Sequence, residues 1–565
     1  MPVFSAKRGS SSPITPLQEW VQLQPNPLLL FSLLLTLSLF PSACTSLPKN
    51  HLPSQKLLAQ AQLPSLPPQK AIGLSLSAAD SALADLSNPQ SSPQLRTTQS
   101  LVYNSALALT TLSLRQNFPH IIDSQTGLFS GPTQTYSLQL KSHGSPATKD
   151  PRSFASLLHA ASIPINDILP QVTRPGLGAP LVGVIHPTGI AALNARTAGF
   201  AVPITAVATF RHSTKNHPVP TQLSFLDPQR STSFSTPHSS FPLQANFSAP
   251  LSFYKKKHDN LLGIAGMLRS DESAKRAGIY FCQPYDPEKI PVIFVHGLMS
   301  SPQIWLDFIN ELNANPSFRQ RYQPWVFFYP SGAPIAGSAL RFHRALATLH
   351  THYPHAKPLV LVGHSMGGII SRMQVTDSGL TIWKTIFTDK SSYVYDHLSP
   401  NSPAKEALIL HSNPEISRVI FLSTPHQGSD LANLKIANFI SSLIRLPTNL
   451  LTKVEPSILA AINLPTRKLP SNITSISSLS PKNPLLLGLS PLPITVPCNS
   501  IIGNRGHNNQ PLADSSDGVV PYWSSHLSFS QSEIIVPTSH DSYDCPQSVA
   551  EILRILKLPS TPSPP

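Results

Sequence analysis

Ser365 sits in the run Gly363-His364-Ser365-Met366-Gly367-Gly368, behind the apolar stretch Pro358 to Val362 and ahead of a helical stretch from Ile369 to Gln374. A Gly-x-Ser-x-Gly run between a strand and a helix is the pattern of a serine nucleophile on a sharp turn. The small residues two positions to either side have a physical reason. Side chains there would collide across a turn whose central residue is held in a strained conformation. A free hydroxyl is a poor nucleophile, so the pattern needs an imidazole to take its proton and a carboxylate to orient that imidazole. Asp517, in the polar loop Asp514 to Pro521 after the apolar run Ser500 to Gly503, is the expected acid. His540, directly after the strand-like run Glu533 to Pro537 and before a helical stretch from Gln547 to Leu556, is the expected base.

About 70 residues upstream of the serine, the β-branched run Pro291 to Val295 ends in His296-Gly297-Leu298-Met299. Such a loop aims a backbone N–H at a reacting carbonyl oxygen. The expected oxyanion donors are therefore the amides of Leu298 and of Met366, the residue after the serine.

With these pieces on the page, the chain resembles the α/β-hydrolase superfamily, and within it the bacterial lipases and esterases. The matching segments are Val295-His296-Gly297, Gly363 to Gly368, Ser423-Thr424-Pro425-His426-Gln427-Gly428-Ser429, and Asp517-Gly518-Val519-Val520-Pro521 with Ser524-Ser525-His526-Leu527 behind it. The resemblance covers residues 285 to 558, about half the chain. It implies an α/β fold with a mainly parallel sheet and helices on both faces, no cofactor, and a covalent acyl-enzyme intermediate. Asp514 and Asp430 compete with Asp517 for the acid, and His526 and His426 compete with His540. The two rival histidines lie in motifs whose counterparts in the family are structural. His350, His352 and His355 straddle a helix end without a companion Cys or acidic ligand, so no metal site is expected there.

Two segments, Asp377 to Ser417 and Asp430 to Pro497, interrupt the strand-helix alternation, and insertions of this kind commonly form a cap over the site. Leu431, Leu434, Ile436, Phe439, Ile440, Leu443 and Ile444 recur near helical spacing. They fit either a lid helix with an apolar underside or a cap helix buried in all states.

Ahead of all this, Lys7 and Arg8 precede the apolar run Leu28 to Phe40, which ends at Pro41-Ser42-Ala43-Cys44. A run this short is an export-signal core, since a spanning helix needs about 20 residues. The Ser-Ala-Cys ending resembles a bacterial lipoprotein processing site, which makes Cys44 the expected point of lipid attachment, with membrane anchoring in the cell envelope. An ordinary cleaved signal, giving a secreted or periplasmic protein, and an uncleaved anchor are the alternatives. After Cys44 only Cys282, Cys498 and Cys545 remain, an odd number that excludes a disulfide framework. One bond, between Cys498 and Cys545, could staple the loops carrying Asp517 and His540; free buried thiols are the other reading.

Composition then divides the chain. Residues 1–44 read as a signal peptide, 45–70 as a Pro-rich tether, 71–118 as a helical segment with a turn at Asn88 to Pro93, and 119–284 as a β-rich accessory domain. Residues 285–558 form the expected catalytic domain and 559–565 a disordered tail. The net charge of +14 is uneven, with 19 Lys and Arg against 9 Asp and Glu between Thr45 and Pro284, and 20 against 17 from Tyr285 onward. A basic region of this kind suits contact with anionic lipid, and a plain solvated surface is the alternative. Interleaved aromatics or a known nucleic-acid module are lacking, so no nucleic-acid partner is expected. The function expected is an exported serine hydrolase of carboxylic esters, those of acyl lipids first. Amides and thioesters are open to the same residues, and an idle hydrolase fold serving as an envelope binding protein is the alternative of a different class.

Overall fold

The unbroken apolar run Val292, Ile293, Phe294 and Val295 gives a strand buried on both faces, as parallel sheets require. In the computed structural model this is β8 (Ile290–Val295), near the middle of a seven-stranded sheet in the order β7-β9-β8-β10-β11-β12-β13. The other strands are β7 (Gly278–Phe281), β9 (Tyr322–Phe328), β10 (Leu359–His364), β11 (Ile416–Leu422), β12 (Cys498–Gly503) and β13 (Ser532–Val536). β7 pairs antiparallel with β9, and the remaining neighbours run parallel. The structure describes residues 52–119, 126–142, 153–164, 170–195, 199–212, 218–237, 239–258, 276–429, 479–506 and 511–558.

Each face of the sheet carries its own helices. Ile293, Leu361 and Phe421 join the core that includes α6 (Ile335–His352) and α7 (Met366–Arg372), through Phe342, Leu346 and Ile369. Phe294, Val362 and Ile420 join the core of the opposite face with α5 (Trp305–Leu312) and α12 (Pro546–Ile555), through Trp305, Ile309 and Ile552. The fold is the expected α/β arrangement of a mainly parallel sheet between two helix layers.

The first half of the chain builds a second sheet. α1 (Pro53–Ala61), α2 (Pro68–Ser87) and α3 (Pro93–Asn117) precede six strands in the order β1-β2-β6-β5-β4-β3. These are β1 (Thr126–Ser130), β2 (Thr135–Ser142), β3 (Phe154–His159), β4 (Ala179–Ile185), β5 (Phe200–Phe210) and β6 (Val219–Leu226). The turn between α2 and α3 falls where Asn88 to Pro93 placed it. There Arg96 donates to the carbonyls of Leu86 and Asn88 at 3.1 and 2.8 Å and so satisfies the end of α2. Tyr103 pins α3 to β5, its hydroxyl donating to the Ala208 carbonyl at 2.7 Å.

Two sequence expectations change here, and one left open is decided. The tether does not run to residue 70, because Pro53–Ala61 is helical with Leu58 and Ala61 buried, and Ser54 Oγ donates to Gln99 Oε1 at 2.8 Å. Pro53 and Pro68 open helices, where proline is tolerated because its missing N–H would have no partner anyway. The boundary at 284 also moves: β7 is the edge strand of the seven-stranded sheet, although its short alternating run reads like another accessory strand. Of the two readings open for Cys498 and Cys545, the structure has buried thiols without a disulfide. Cys498 belongs to the core on one face of the sheet and Cys545 to the core on the other, so the sheet itself separates them.

Between α7 and β11, the insertion forms α8 (Thr381–Phe387), α9 (Ser391–His397) and α10 (Pro403–Leu408). α10 packs on α6, and α8 packs on α11 (Pro484–Leu489). Asp430, the Leu431 to Ile444 helix and Cys44 with its signal lie outside the described residues.

Candidate active site

β10 ends at His364, and the chain turns at once into α7. Ser365, at the turn, has φ of 53° and ψ of −126°, a conformation rarely adopted outside glycine. The turn is feasible because its neighbours lack side chains. A Cβ on Gly363 would lie 2.6 Å from Gly368 Cα, and one on Gly367 would lie 2.3 Å from the His296 carbonyl oxygen. A Cβ on Gly368 would sit 1.8 Å from Thr424 Oγ1, a constraint that the Gly-x-Ser-x-Gly pattern does not include. The Ser365 amide donates to the Leu422 carbonyl at 2.9 Å, which ties the turn to the end of β11.

The loop after β13 brings His540 to this turn. His540 Nε2 lies 2.9 Å from Ser365 Oγ, and Nδ1 lies 2.7 Å from Asp517 Oδ2. Asp517 is 1% exposed, and its Oδ1 accepts the amides of Val519 and Val520 at 2.8 and 2.7 Å. Burial raises this carboxyl's pKa, but the hydrogen bond and charge of His540 with the two amides outweigh it, leaving the group below its ordinary value. Gly518 takes φ of 94°, which lets the loop fold its two amides back onto the carboxylate.

The loop after β8 borders the same turn. A Cβ on Gly297 would be 3.0 Å from Ser365 Cβ, so Leu298 follows within one residue of close contact. Met366 is the first residue of α7, and the amides of a helix's first turn have no partner inside the helix. His296, fully buried, stacks on Tyr329 with ring centroids 4.3 Å apart, and its carbonyl accepts the Tyr329 hydroxyl at 2.5 Å. Burial lowers its pKa to about 4, so it is a neutral part of the loop's frame.

The rivals occupy other surroundings. His526 pairs with Glu533 at 2.9 Å, and Asp514 is exposed. His426 is 1% exposed, with its ring edge-on to Phe421. Its backbone amide donates to the Ser524 carbonyl at 2.9 Å, and Ser429 Oγ donates to the Val519 carbonyl. The Ser423 to Ser429 segment therefore braces the loop that carries Asp517. His350 pairs with Glu415 at 3.2 Å.

Two supporting residues were not singled out from the sequence. His364, buried and with its pKa lowered by burial to about 3, has Nε2 2.8 Å from the His540 carbonyl oxygen. Neutral at ordinary pH, it holds the base loop from below. Ser423, with φ of 44°, donates through Oγ to Ser542 Oγ at 3.0 Å and accepts the Gly503 amide at 3.2 Å. Position inside a quoted motif was the signal available for both.

No family model matches the chain, and no curated protein matches it. Among solved structures, the mature form of the lipase BlEst2 from Bacillus licheniformis is similar over 49% of this chain and 97% of its own, at 16% identity and a TM-score of 0.29. Lipase 1 from Pelosinus fermentans covers 48% of this chain and 100% of its own, at 12% identity and a TM-score of 0.29. A thermophilic esterase from Thermogutta terrifontis, in a malate-bound form, covers 49% and 93%, at 15% identity and a TM-score of 0.24.

Proposed function

We propose that the chain is a serine hydrolase of carboxylic esters, with acyl-lipid esters as its substrate class. The observation that supports this best is the continuous hydrogen-bonded chain from Asp517 through His540 to Ser365 Oγ, ending on a strained strand-to-helix turn. In this reading His540 Nε2 takes the hydroxyl proton as Ser365 Oγ attacks the acyl carbon. Asp517, ionised by its amide partners, keeps Nδ1 protonated and stabilises the imidazolium. The amides of Leu298 and Met366 receive the negative oxygen of the tetrahedral intermediate. His540 then returns its proton to the departing alcohol, and water repeats the sequence on the acyl-enzyme.

A fluorophosphonate probe should label Ser365, and Ser365→Ala should abolish both labelling and cleavage of chromogenic esters. Labelling that persists in the alanine variant would remove this serine from the reading. Esters of increasing chain length, assayed on the same protein, measure how long an acyl group the site takes. We also infer export and lipid attachment from the Leu28 to Cys44 sequence. A fatty-acid analogue fed to cells should mark the wild type and not Cys44→Ser; a wild type that takes up no label and leaves membranes in moderate salt would refute anchoring.

A further inference from the structure

Where the two halves of the chain meet, at the amino ends of β8 and β9, buried charge is out of balance. Lys289, just ahead of β8, is 2% exposed, and Arg319, on the helix Pro316–Arg321 just ahead of β9, is 7% exposed. Arg174 and Arg230 come within electrostatic reach of them from the first half, and the buried carboxylates Asp227 and Asp286 stand beside Lys289. Arg230 takes Asp286 as its ion-pair partner, and Lys289 Nζ donates to Gln229 Oε1 at 2.7 Å. Arg174 donates through Nε and Nη2 to the carbonyls of Leu243, Pro228 and Ser231 at 2.8, 3.3 and 2.7 Å. Among the described residues, neither Arg174 nor Arg319 has an ion-pair partner.

A cavity of about 30 Å³ opens beside Arg319, walled by Phe247 and Gln229 of the first half and by Gln283 and Asn313 of the second. The Arg319 guanidinium lies face-on to the Phe247 ring, its carbon 4.0 Å from the centroid, and Nη1 donates to the Asn313 carbonyl. Those contacts use one face and one nitrogen. The in-plane edge formed by Nε and Nη2 has no partner among the described residues, and neither atom is sealed within protein. Gln229 adds a second donor, because its amide oxygen is taken by Lys289 and its amino group is the end left over. A charge withdrawn from water without a counter-charge is costly. Burial, and after it the charge of Arg174, lowers the Arg319 pKa to about 10, and no carboxylate opposes that shift. The guanidinium is therefore charged at neutral pH and uncompensated.

We propose that this cavity binds one small inorganic monoanion of chloride size, held by the Nε and Nη2 edge of Arg319 and by Nε2 of Gln229, and that the ion joins the two halves. The space admits one or two water-sized spheres, which excludes phosphate and any acid with a hydrocarbon chain. Arg319 and Gln229 come from different halves, so the site exists in the assembled fold and not in the unfolded chain. The ion then stabilises the fold by mass action. Ser365 lies at the carboxyl ends of the strands, and nothing here depends on the chemistry there.

Thermal unfolding of the full-length protein at fixed ionic strength tests it, with sodium chloride replacing sodium gluconate, whose anion is too large for the cavity. Chloride should raise the unfolding temperature by about 1–2 °C for each tenfold increase beyond its dissociation constant. Arg319→Gln should remove that dependence. Because Arg319 also holds the Asn313 carbonyl, Gln283→Glu serves as the second variant. It keeps the guanidinium and supplies a carboxylate at the cavity wall, so in gluconate it should unfold at a higher temperature than the wild type and no longer respond to chloride. Equal unfolding temperatures of the wild type in chloride and gluconate, or a chloride response that survives in either variant, would overturn the proposal.

Discussion

Among the described residues, four non-glycine residues have positive φ: Met299, Ser365, Thr388 and Ser423. Three of them surround the candidate site, in the loop after β8, at the turn itself and under the His540 loop. Such conformations cost about 1–3 kcal/mol each and persist where the surroundings over-determine them. Asp517 is held as firmly by other means, with three hydrogen bonds to one carboxylate. Its lowered pKa means that it contributes stability above the unfolded value of about 3.9, lost only as pH falls through its lower folded value. Across the neutral range it therefore stays an anion. Asp517→Asn should keep the fold, as judged by circular dichroism, while lowering ester turnover by roughly 10³–10⁴. Asp514→Asn, altering an exposed side chain, should change turnover little, and the reverse ranking would transfer the acid's role. The meeting of Ser365, Asp517 and His540 was legible because each follows an apolar run, where a strand's end presents them together. His364 and Ser423 were not. Their contribution is a hydrogen bond to a loop more than 100 residues away, and local sequence carries no trace of such a partner.

At the scale of elements, the turn between β10 and α7 is a packing problem solved by glycine on one side and Thr424 on the other. A methyl at position 368 would meet Thr424 Oγ1 at 1.8 Å and its Cβ at 2.8 Å. Gly368→Ala should destabilise the protein by about 1–3 kcal/mol in urea unfolding and reduce activity by shifting α7 from β11. Thr424→Ala should recover part of that loss, so that the double variant is more stable than the sum of the two single changes. Simple additivity would mean that the two segments do not press on each other. Elsewhere, the continuous apolar runs of β8, β10 and β11 and the Ala- and Leu-rich helices α2 and α3 with their Asn88 to Pro93 turn were readable from local composition. The elements that escaped were those whose signals are ambiguous out of context. Pro53 and Pro68 look like linker residues yet initiate helices. Gly278–Phe281 looks like one more accessory strand yet pairs with β9. The sequence left the cysteine pairing open for a similar reason: proximity along the chain to two neighbouring loops says nothing about which face of the sheet each thiol enters.

At the scale of the molecule, composition suggests an accessory domain joined to a catalytic one, whereas the chain from Pro53 onward forms one unit. Leu251 and Tyr254, on the helix Ala249–His258, share a core with Trp305, Phe308 and Ile309 of α5. Asn310, fully buried on α5, is the polar joint: its Oδ1 accepts Ser248 Oγ at 2.7 Å, and its Nδ2 donates to the Pro170 carbonyl at 2.7 Å. Arg230 pairs with Asp286 across the same boundary, and Lys289 Nζ donates to Gln229 Oε1 at 2.7 Å. A shared core makes the halves unfold together, and the tryptophans allow this to be seen. Apart from Trp20, the tryptophans (Trp305, Trp325, Trp383 and Trp523) lie in the half with the parallel sheet, whereas α2 and α3 are in the first half. Urea unfolding followed by tryptophan fluorescence and by far-ultraviolet circular dichroism should therefore give coincident transitions. Asn310→Ala, which takes the acceptor from the buried Ser248 hydroxyl, should lower both midpoints together by about 2 kcal/mol of stability. If the helical signal were lost in a separate transition, or if Asn310→Ala moved only the fluorescence midpoint, the two halves would be independent folding units that merely touch.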